Sequence, residues 1–246
     1  MKLSIFVPVY NEEPTVRLLL EKVAAVDLTP LRLTKEIIVV NDGSTDRTAA
    51  QVRAFLADHP DEPVRLIELS GNHGKGYAVR QALNTATGEL CVVQDADLEY
   101  DPADWSELLA PLAAGEAPVV FGSRGLPLGA DQSRRRFYQI GLVIAHFFIR
   151  LLYGYRFTDA ATCYKAMGTE LMRRLDLKHR RFSWDMELGC KLLNRGVPIL
   201  ERPISYRPRY KSEGKKIRWR DFVSSMWAIF HTRFFDRGAR EFRLPT

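Results

Sequence analysis

The chain lacks the signatures that most quickly reveal a protein's class. No Gly-x-Gly-x-x-Gly follows its first apolar run; Pro8-Val9-Tyr10-Asn11-Glu12 stands there instead, which disfavours a dinucleotide fold of the usual kind. A phosphate loop is missing too, because Gly71-Asn72-His73-Gly74-Lys75-Gly76 has the wrong spacing for Gly-x-x-x-x-Gly-Lys-Ser/Thr. There are only three cysteines, Cys91, Cys163 and Cys190, odd in number, far apart and in apolar surroundings. That usage excludes a disulfide framework and a zinc site and suggests reduced thiols in a cytoplasmic setting. Nowhere do about 18–20 uninterrupted apolar residues occur, the length a membrane span requires. The start, Met-Lys-Leu-Ser-Ile-Phe-Val-Pro, is too short an apolar run for a signal peptide. Internal repeats and low-complexity linkers are also missing.

What the chain does have is a full core and an excess of cations. Its 246 residues are 46% hydrophobic, ordinary for one large globular domain with at most an appended segment. The formal net charge of +6 points to an anionic partner such as a nucleotide, a lipid phosphate, a membrane surface or a nucleic acid. Nucleic acid is disfavoured, because no aromatic-plus-basic motif of RNA or DNA readers is present. Strand-like and helix-like segments alternate through the first half. Apolar runs at Leu3–Val7, Glu36–Val40, Val64–Leu69, Leu90–Gln94 and Val119–Gly122 alternate with helical patterns over Glu12–Val26, Asp46–Asp58, Lys75–Ala86 and Asp104–Ala113. Ser44 or Asp46 is the expected cap of the second helix. Such alternation predicts an α/β fold, a mostly parallel central sheet flanked by helices.

The chemistry gathers where these runs stop. Leu90–Val93 ends in Gln94-Asp95-Ala96-Asp97-Leu98-Glu99, and in an extended backbone Asp95, Asp97 and Glu99 point to one side. Three carboxylates so placed repel one another unless a cation intervenes, and a hard ion such as Mg²⁺ or Mn²⁺ would be held by one or two of them plus a ligand's phosphates. A plain acidic loop ahead of a helix is the bland alternative. Asp42, at the end of the second run, suits hydrogen bonding to a base or ribose. A turn with a helix cap explains Gly43, Ser44 and Asp46 equally well, but not why three successive runs end in acidic or polar residues.

The second half differs. Ser133-Arg134-Arg135-Arg136 precedes Phe137–Tyr155, an apolar segment interrupted by His146 and Arg150. It reads either as an amphipathic helix lying in a membrane interface or as a core helix. A helix is expected over Phe182–Arg195, starting near Trp184. Arg207 to Arg218 sets Gly214 among many cations, as a loop folding over phosphates would. Phe222–Phe235, with Trp227, is a docked helix or a second membrane-facing surface.

Taken together, Val7-Pro8-Val9-Tyr10-Asn11-Glu12, Asn41-Asp42-Gly43-Ser44-Thr45-Asp46, Gly74-Lys75-Gly76, Gln94 to Leu98, Gly122-Ser123-Arg124, and Arg209 through Ile217 resemble the family 2 glycosyltransferases of the GT-A fold. The likeness is to their dolichyl- or polyprenyl-phosphate sugar synthases, of the dolichyl-phosphate mannosyltransferase kind, and runs to about Asp221. It implies a glycosyltransferase domain over 1–221, then a C-terminal amphipathic helix and tail over 222–246 without the transmembrane helices many relatives carry. The resemblance places Pro8, Tyr10, Glu12, Asp42, Asp95, Ala96, Asp97, Arg124, Arg209 and Lys215 on the nucleotide-sugar. It makes Asp95, Asp97 and Glu99 the ligands of Mg²⁺ or Mn²⁺, with Glu99 where the family often has Gln. Ser123, Arg124, Arg134 and Arg135 would meet the acceptor phosphate.

The implied reaction moves a sugar from a nucleoside-diphosphate sugar, GDP-mannose or a UDP-hexose, to a polyprenyl or dolichyl phosphate with inversion at C1. Arg124 and Lys215 add fixed positive charge at the leaving diphosphate. Asp97 and Arg124 are the catalytic candidates, with Asp185 as base if the acceptor is instead a hydroxyl, since a lipid phosphate is already largely ionised and needs none. A peripheral position on the cytoplasmic face of a membrane is expected, through these amphipathic surfaces or through a separate anchoring partner.

Overall fold

In the computed structural model, residues 1–126, 139–209 and 219–236 are described. Among the described residues seven strands form a single sheet, β1 (Lys2–Val9), β2 (Thr34–Asn41), β3 (Val64–Glu68), β4 (Leu90–Val93), β5 (Val119–Ser123), β6 (Lys165–Gly168) and β7 (Leu200–Pro203). Their order is β3-β2-β1-β4-β6-β5-β7, parallel except for β6, which runs against both β4 and β5. Leu3, Ile5, Phe6, Val7 and Ile37 to Val40 are wholly or almost wholly buried, as expected where a parallel sheet is covered on both faces and its strands read as continuous apolar runs.

The helices are α1 (Val16–Ala25), α2 (Thr48–Asp58), α3 (Lys75–Thr85), α4 (Trp105–Ala113), α5 (Gln139–Tyr153), α6 (Thr169–Arg174), α7 (Trp184–Asn194) and α8 (Trp219–Phe235). In α1 the buried positions are Val16, Leu19, Leu20 and Val23, the i, i+3, i+4, i+7 stripe of a helix lying on a core. The α7 helix is unusual in that Trp184 through Leu192 are all buried. It packs between the sheet side and α8, whose Ala228 and Ile229 are buried in turn.

Helices α2, α3 and α4 start and stop within two residues of their expected bounds, whereas α1 starts at Val16, four residues past the expected Glu12; α2 begins at Thr48 with no side-chain cap from the residue before it. Asp46 accepts from the Thr48 amide at 2.9 Å, while the Ser44 hydroxyl accepts from the Asn11 amide at 3.0 Å. Ser44 therefore ties two loops together and caps nothing. The sheet brings β1 beside both β2 and β4, so strand order reverses at β1. Open α/β sheets bind ligands in the crevice at the carboxyl ends of strands flanking such a point.

Candidate active site

Those carboxyl ends are tied into one rim. Beyond β1, Asn11 takes a φ of +49°; its side-chain oxygen accepts from the Thr45 amide at 2.8 Å, and Glu12 donates its amide to the Thr48 hydroxyl at 2.8 Å. Pro8 and Tyr10 are half-buried there. Beyond β2, the buried Asp42 accepts from the amides of His73 and Gly74 at 2.8 and 2.7 Å. Its carboxylate thus braces the turn into α3, and the base-and-ribose role expected of it is at most shared with that bracing. Gly74 has a φ of +98°, and a Cβ there would lie 2.6 Å from the Arg180 carbonyl oxygen, so only glycine fits this turn without strain.

That turn delivers Lys75, a residue to which the sequence had assigned no role. Its Nζ lies 2.7 and 2.8 Å from the two Asp95 oxygens and 3.3 Å from Cys163 Sγ. Burial alone would lower the Lys75 ammonium, but Asp95 foremost and then the other acids nearby hold it well above its usual value.

The chain does not stay extended after β4. It turns at Ala96, which is buried, and Leu98 takes a φ of +59°, a costly conformation for a branched residue. The shared-face expectation for Asp95, Asp97 and Glu99 is therefore corrected, because the strand alternation it relied on ends at Val93. Asp97 accepts from the Glu99 amide at 3.1 Å and pairs with Arg209 at 3.0 Å. Glu99 turns to the Tyr206 hydroxyl and the Arg209 amide, both at 2.8 Å. Among the described residues, no three His, Cys, Asp or Glu side chains form a ready-made metal cluster.

Arg209 also grips Glu12 at 3.0 and 3.2 Å, so one guanidinium bridges the β1 loop and the β4 turn. Even so, burial first, then Asp95 and Glu99, push the Asp97 carboxyl up to about 7 against the pull of Arg209. Oxygen ligands suit a hard divalent ion, and Asp95 and Asp97 are the residues whose chemistry fits it.

On the other side of β4, Ser123 ends β5 fully buried, with its hydroxyl 2.6 Å from that of Thr158 and accepting from the Gly125 amide at 3.1 Å. The Ser123 hydroxyl thus shapes this turn. Arg124, next in the chain, is held by Asp159 through Nε at 2.6 Å and Nη2 at 2.8 Å. Its guanidinium lies 5.0 Å from the Tyr206 ring centroid.

Asp185, in the first turn of α7, is buried and its Oδ1 has no hydrogen-bond partner. Burial raises its carboxyl, with Lys165 and Lys75 opposing and Asp95 adding to the rise. That places it close to the Lys75–Asp95 pair. Arg134, Arg135 and Lys215 lie outside the described residues. The structure thus brings Glu12, Asp97 and Arg209 together, sets Asp95 beside Lys75 and Asp185, and adds Asp159 and Tyr206, which no local pattern marks.

An open, mostly parallel sheet flanked by helices, with an acidic turn at its switch point, is the arrangement of the GT-A fold. The fold of glucosyl-3-phosphoglycerate synthase from Mycobacterium tuberculosis, solved with Mn²⁺, uridine diphosphate and phosphoglyceric acid, superposes with a TM-score of 0.67 at 20% identity over 94% of this chain and 76% of that one. The family described as Glycosyl transferase family 2 matches residues 4–176, and the chain belongs to it. Asp185 and Arg209 lie beyond the matched stretch.

Among curated relatives, dolichyl-phosphate beta-glucosyltransferase of Drosophila melanogaster is 31% identical over 84% of this chain and 67% of its own length. The Dictyostelium discoideum protein of the same name is 26% identical over 83% of this chain, which spans 66% of that relative. Dodecaprenyl-phosphate galacturonate synthase of Rhizobium johnstonii is 36% identical over 50% of this chain and 36% of its own length. The chain therefore spans from about a third to two thirds of the length of these relatives.

Proposed function

We propose that this chain is an inverting, metal-dependent glycosyltransferase that moves a sugar from a nucleoside-diphosphate sugar to a polyprenyl phosphate. The observation that carries the reading is the Asp95–Asp97 turn at the sheet's switch point, with Lys75 paired to Asp95 and Arg209 to Asp97. Asp95 and Asp97 would hold Mg²⁺ or Mn²⁺, which when bound supplies charge neutralisation at the leaving diphosphate. Lys75 orients Asp95. Arg209 is near enough to both Glu12 and Asp97 to serve the diphosphate, and Arg124 is the described cation available to an acceptor phosphate. The names of the three curated relatives above, each pairing a lipid phosphate with a sugar transferase or synthase, support that acceptor class, and the solved neighbours with UDP and Mn²⁺ or Mg²⁺ support the donor and ion.

A lipid acceptor requires a membrane surface. On α5, Val143, Phe147 and Leu151 are exposed at successive i+4 positions, and on α8 so are Trp219, Val223 and Trp227. Arg150, Arg220 and Arg233 are exposed on the same two helices, which pack together through Phe148 and Phe230. Among the described residues no helix is long and apolar enough to cross a membrane. Apolar stripes flanked by cations suit binding in the interfacial plane, and we place the protein there, on the cytoplasmic face. Free, buried cysteines accord with a reducing compartment.

A hydroxyl acceptor is the second reading, favoured by the unpartnered Oδ1 and raised carboxyl of Asp185, the properties of a general base. One assay separates the two. The chain is incubated with Mg²⁺ or Mn²⁺, a polyprenyl phosphate and a panel of labelled nucleotide-sugars, and label is followed into the organic phase. Metal-dependent label that Asp97→Ala abolishes is expected. No organic-phase label with any donor, despite metal-dependent nucleotide binding, would transfer the assignment to a hydroxyl acceptor with Asp185 as base.

A further inference from the structure

Arg124 does not choose its own direction. One carboxylate, that of Asp159, accepts from its main-chain amide at 3.1 Å, its Nε at 2.6 Å and its Nη2 at 2.8 Å. Both the start and the end of the arginine side chain are thus fixed to a single group, and a two-pronged grip on a planar fork fixes orientation as well as distance. The two partners differ sharply in exposure. Asp159 is 1% exposed, whereas the Arg124 side chain is 22% exposed. Only the arginine can meet a ligand.

Asp159 is itself immobilised from two other elements. Its amide donates to Glu201 of β7 at 3.0 Å, and Glu201 also accepts from the Thr158 amide and hydroxyl at 2.9 and 2.7 Å. The next amide, that of Ala160, donates to His146 Nε2 of α5 at 3.1 Å. Burial would raise the Asp159 carboxyl, but Arg124 holds it below the usual range, so the aspartate stays charged and its grip lasts. Tyr206, whose ring lies 5.0 Å from the guanidinium, donates to Glu99 at 2.8 Å and closes the other side of the pair.

We infer that Asp159 is a positioning residue which aims Arg124 at the acceptor phosphate and acts on binding only through Arg124. The inference rests on the reading of Arg124 as a phosphate-binding residue. A group held this way contributes by pre-organisation, and misplacing it by about 1 Å can cost about a hundredfold. Removing the Asp159 charge leaves the guanidinium in place as a cation but frees its direction.

The test measures, on the full chain, dissociation constants for a polyprenyl phosphate in detergent micelles and for UDP with Mn²⁺. Wild type is compared with Asp159→Asn, Arg124→Ala and the double variant, and thermal midpoints are recorded alongside. Asp159→Asn is expected to weaken lipid-phosphate binding about 10- to 100-fold and leave UDP binding within about twofold, while the double variant binds no more weakly than Arg124→Ala alone. A merely structural role would weaken both ligands together. The inference is overturned if Asp159→Asn leaves lipid-phosphate binding unchanged while Arg124→Ala weakens it, or if the two losses multiply. If Arg124→Ala has no effect on lipid-phosphate binding, the phosphate reading of Arg124 falls and this inference with it. Should Asp159→Asn not fold, Asp159→Glu keeps the charge on a longer arm. Loss of lipid-phosphate affinity with UDP affinity kept is expected from it, and wild-type affinity for both would overturn the inference.

Discussion

Glu36 shows how a buried charge can be used purely for structure at the opposite end of the sheet from the site. Its carboxylate accepts from the Ser4 hydroxyl at 2.6 Å, the Thr87 amide at 2.7 Å and hydroxyl at 3.0 Å, and the Gly88 amide at 3.2 Å, with Lys2 at 3.3 Å. Burial pushes this carboxyl up, yet the hydrogen bonds together prevail and hold it down at about 2. A carboxyl lowered on folding contributes stability above its unfolded value, and that contribution is lost as pH falls towards the folded one. Glu36→Gln should therefore cost on the order of 2 kcal/mol at pH 7. Denaturant titrations at neutral pH and near pH 2 should find the gap between variant and wild type closing in acid. A gap independent of pH would mean that the charge contributes nothing.

The acids of the candidate site are legible in the sequence because they stand where apolar runs stop. Their partners are not. Lys75 reaches Asp95 across 20 positions, Arg124 reaches Asp159 across 35, and Arg209 reaches Asp97 across 112. Pairings of that span follow from strand order and leave no local pattern.

Among elements, those with a periodic pattern or an unbroken apolar run are readable, and short ones of mixed composition are not. The α7 helix starts at Trp184, as its pattern predicts, and β1, β2 and β4 fall within a residue or two of their apolar runs. The β6 and β7 strands have four residues each and α6 has six, too few to establish a period. The reversed direction of β6 cannot be inferred from alternation at all. Where the sequence reading fails at Asp95–Glu99, a left-handed Leu98 replaces the extended backbone on which the reading depended. The α3 start carries its own prediction. Gly74→Ala puts a Cβ 2.6 Å from a carbonyl oxygen at a φ of +98° and should destabilise by about 1–3 kcal/mol. Because the same turn supplies two amides to Asp42 and delivers Lys75 to Asp95, nucleotide binding should weaken as well. Calorimetry on the folded variant, well below its thermal midpoint, separates the two effects, and unchanged nucleotide affinity would detach the turn from the site.

At the scale of the molecule, cations outnumber anions by six, yet the floor of the site is acidic. Part of the positive charge is exposed on α5 and α8 beside their apolar stripes. Sedimentation with anionic liposomes should bring the protein down, less so at high salt, since exposed charges are screened within about 8–10 Å at physiological ionic strength. Phe147→Glu together with Trp227→Glu, both on exposed positions, should release it without moving the thermal midpoint. Protein that stays in the supernatant with liposomes present would remove the membrane surface from the proposal.

The Arg209 bridge has a further consequence for how the protein is made. Glu12 and Arg209 are 197 positions apart, and a ribosome delivers them in that order at about 5–20 residues per second. Asp97 precedes Arg209 by 112 positions, so for roughly six to twenty-two seconds the β1 loop and the β4 turn exist without their shared cation. The link between these two loops is thus made only when the last quarter of the chain arrives.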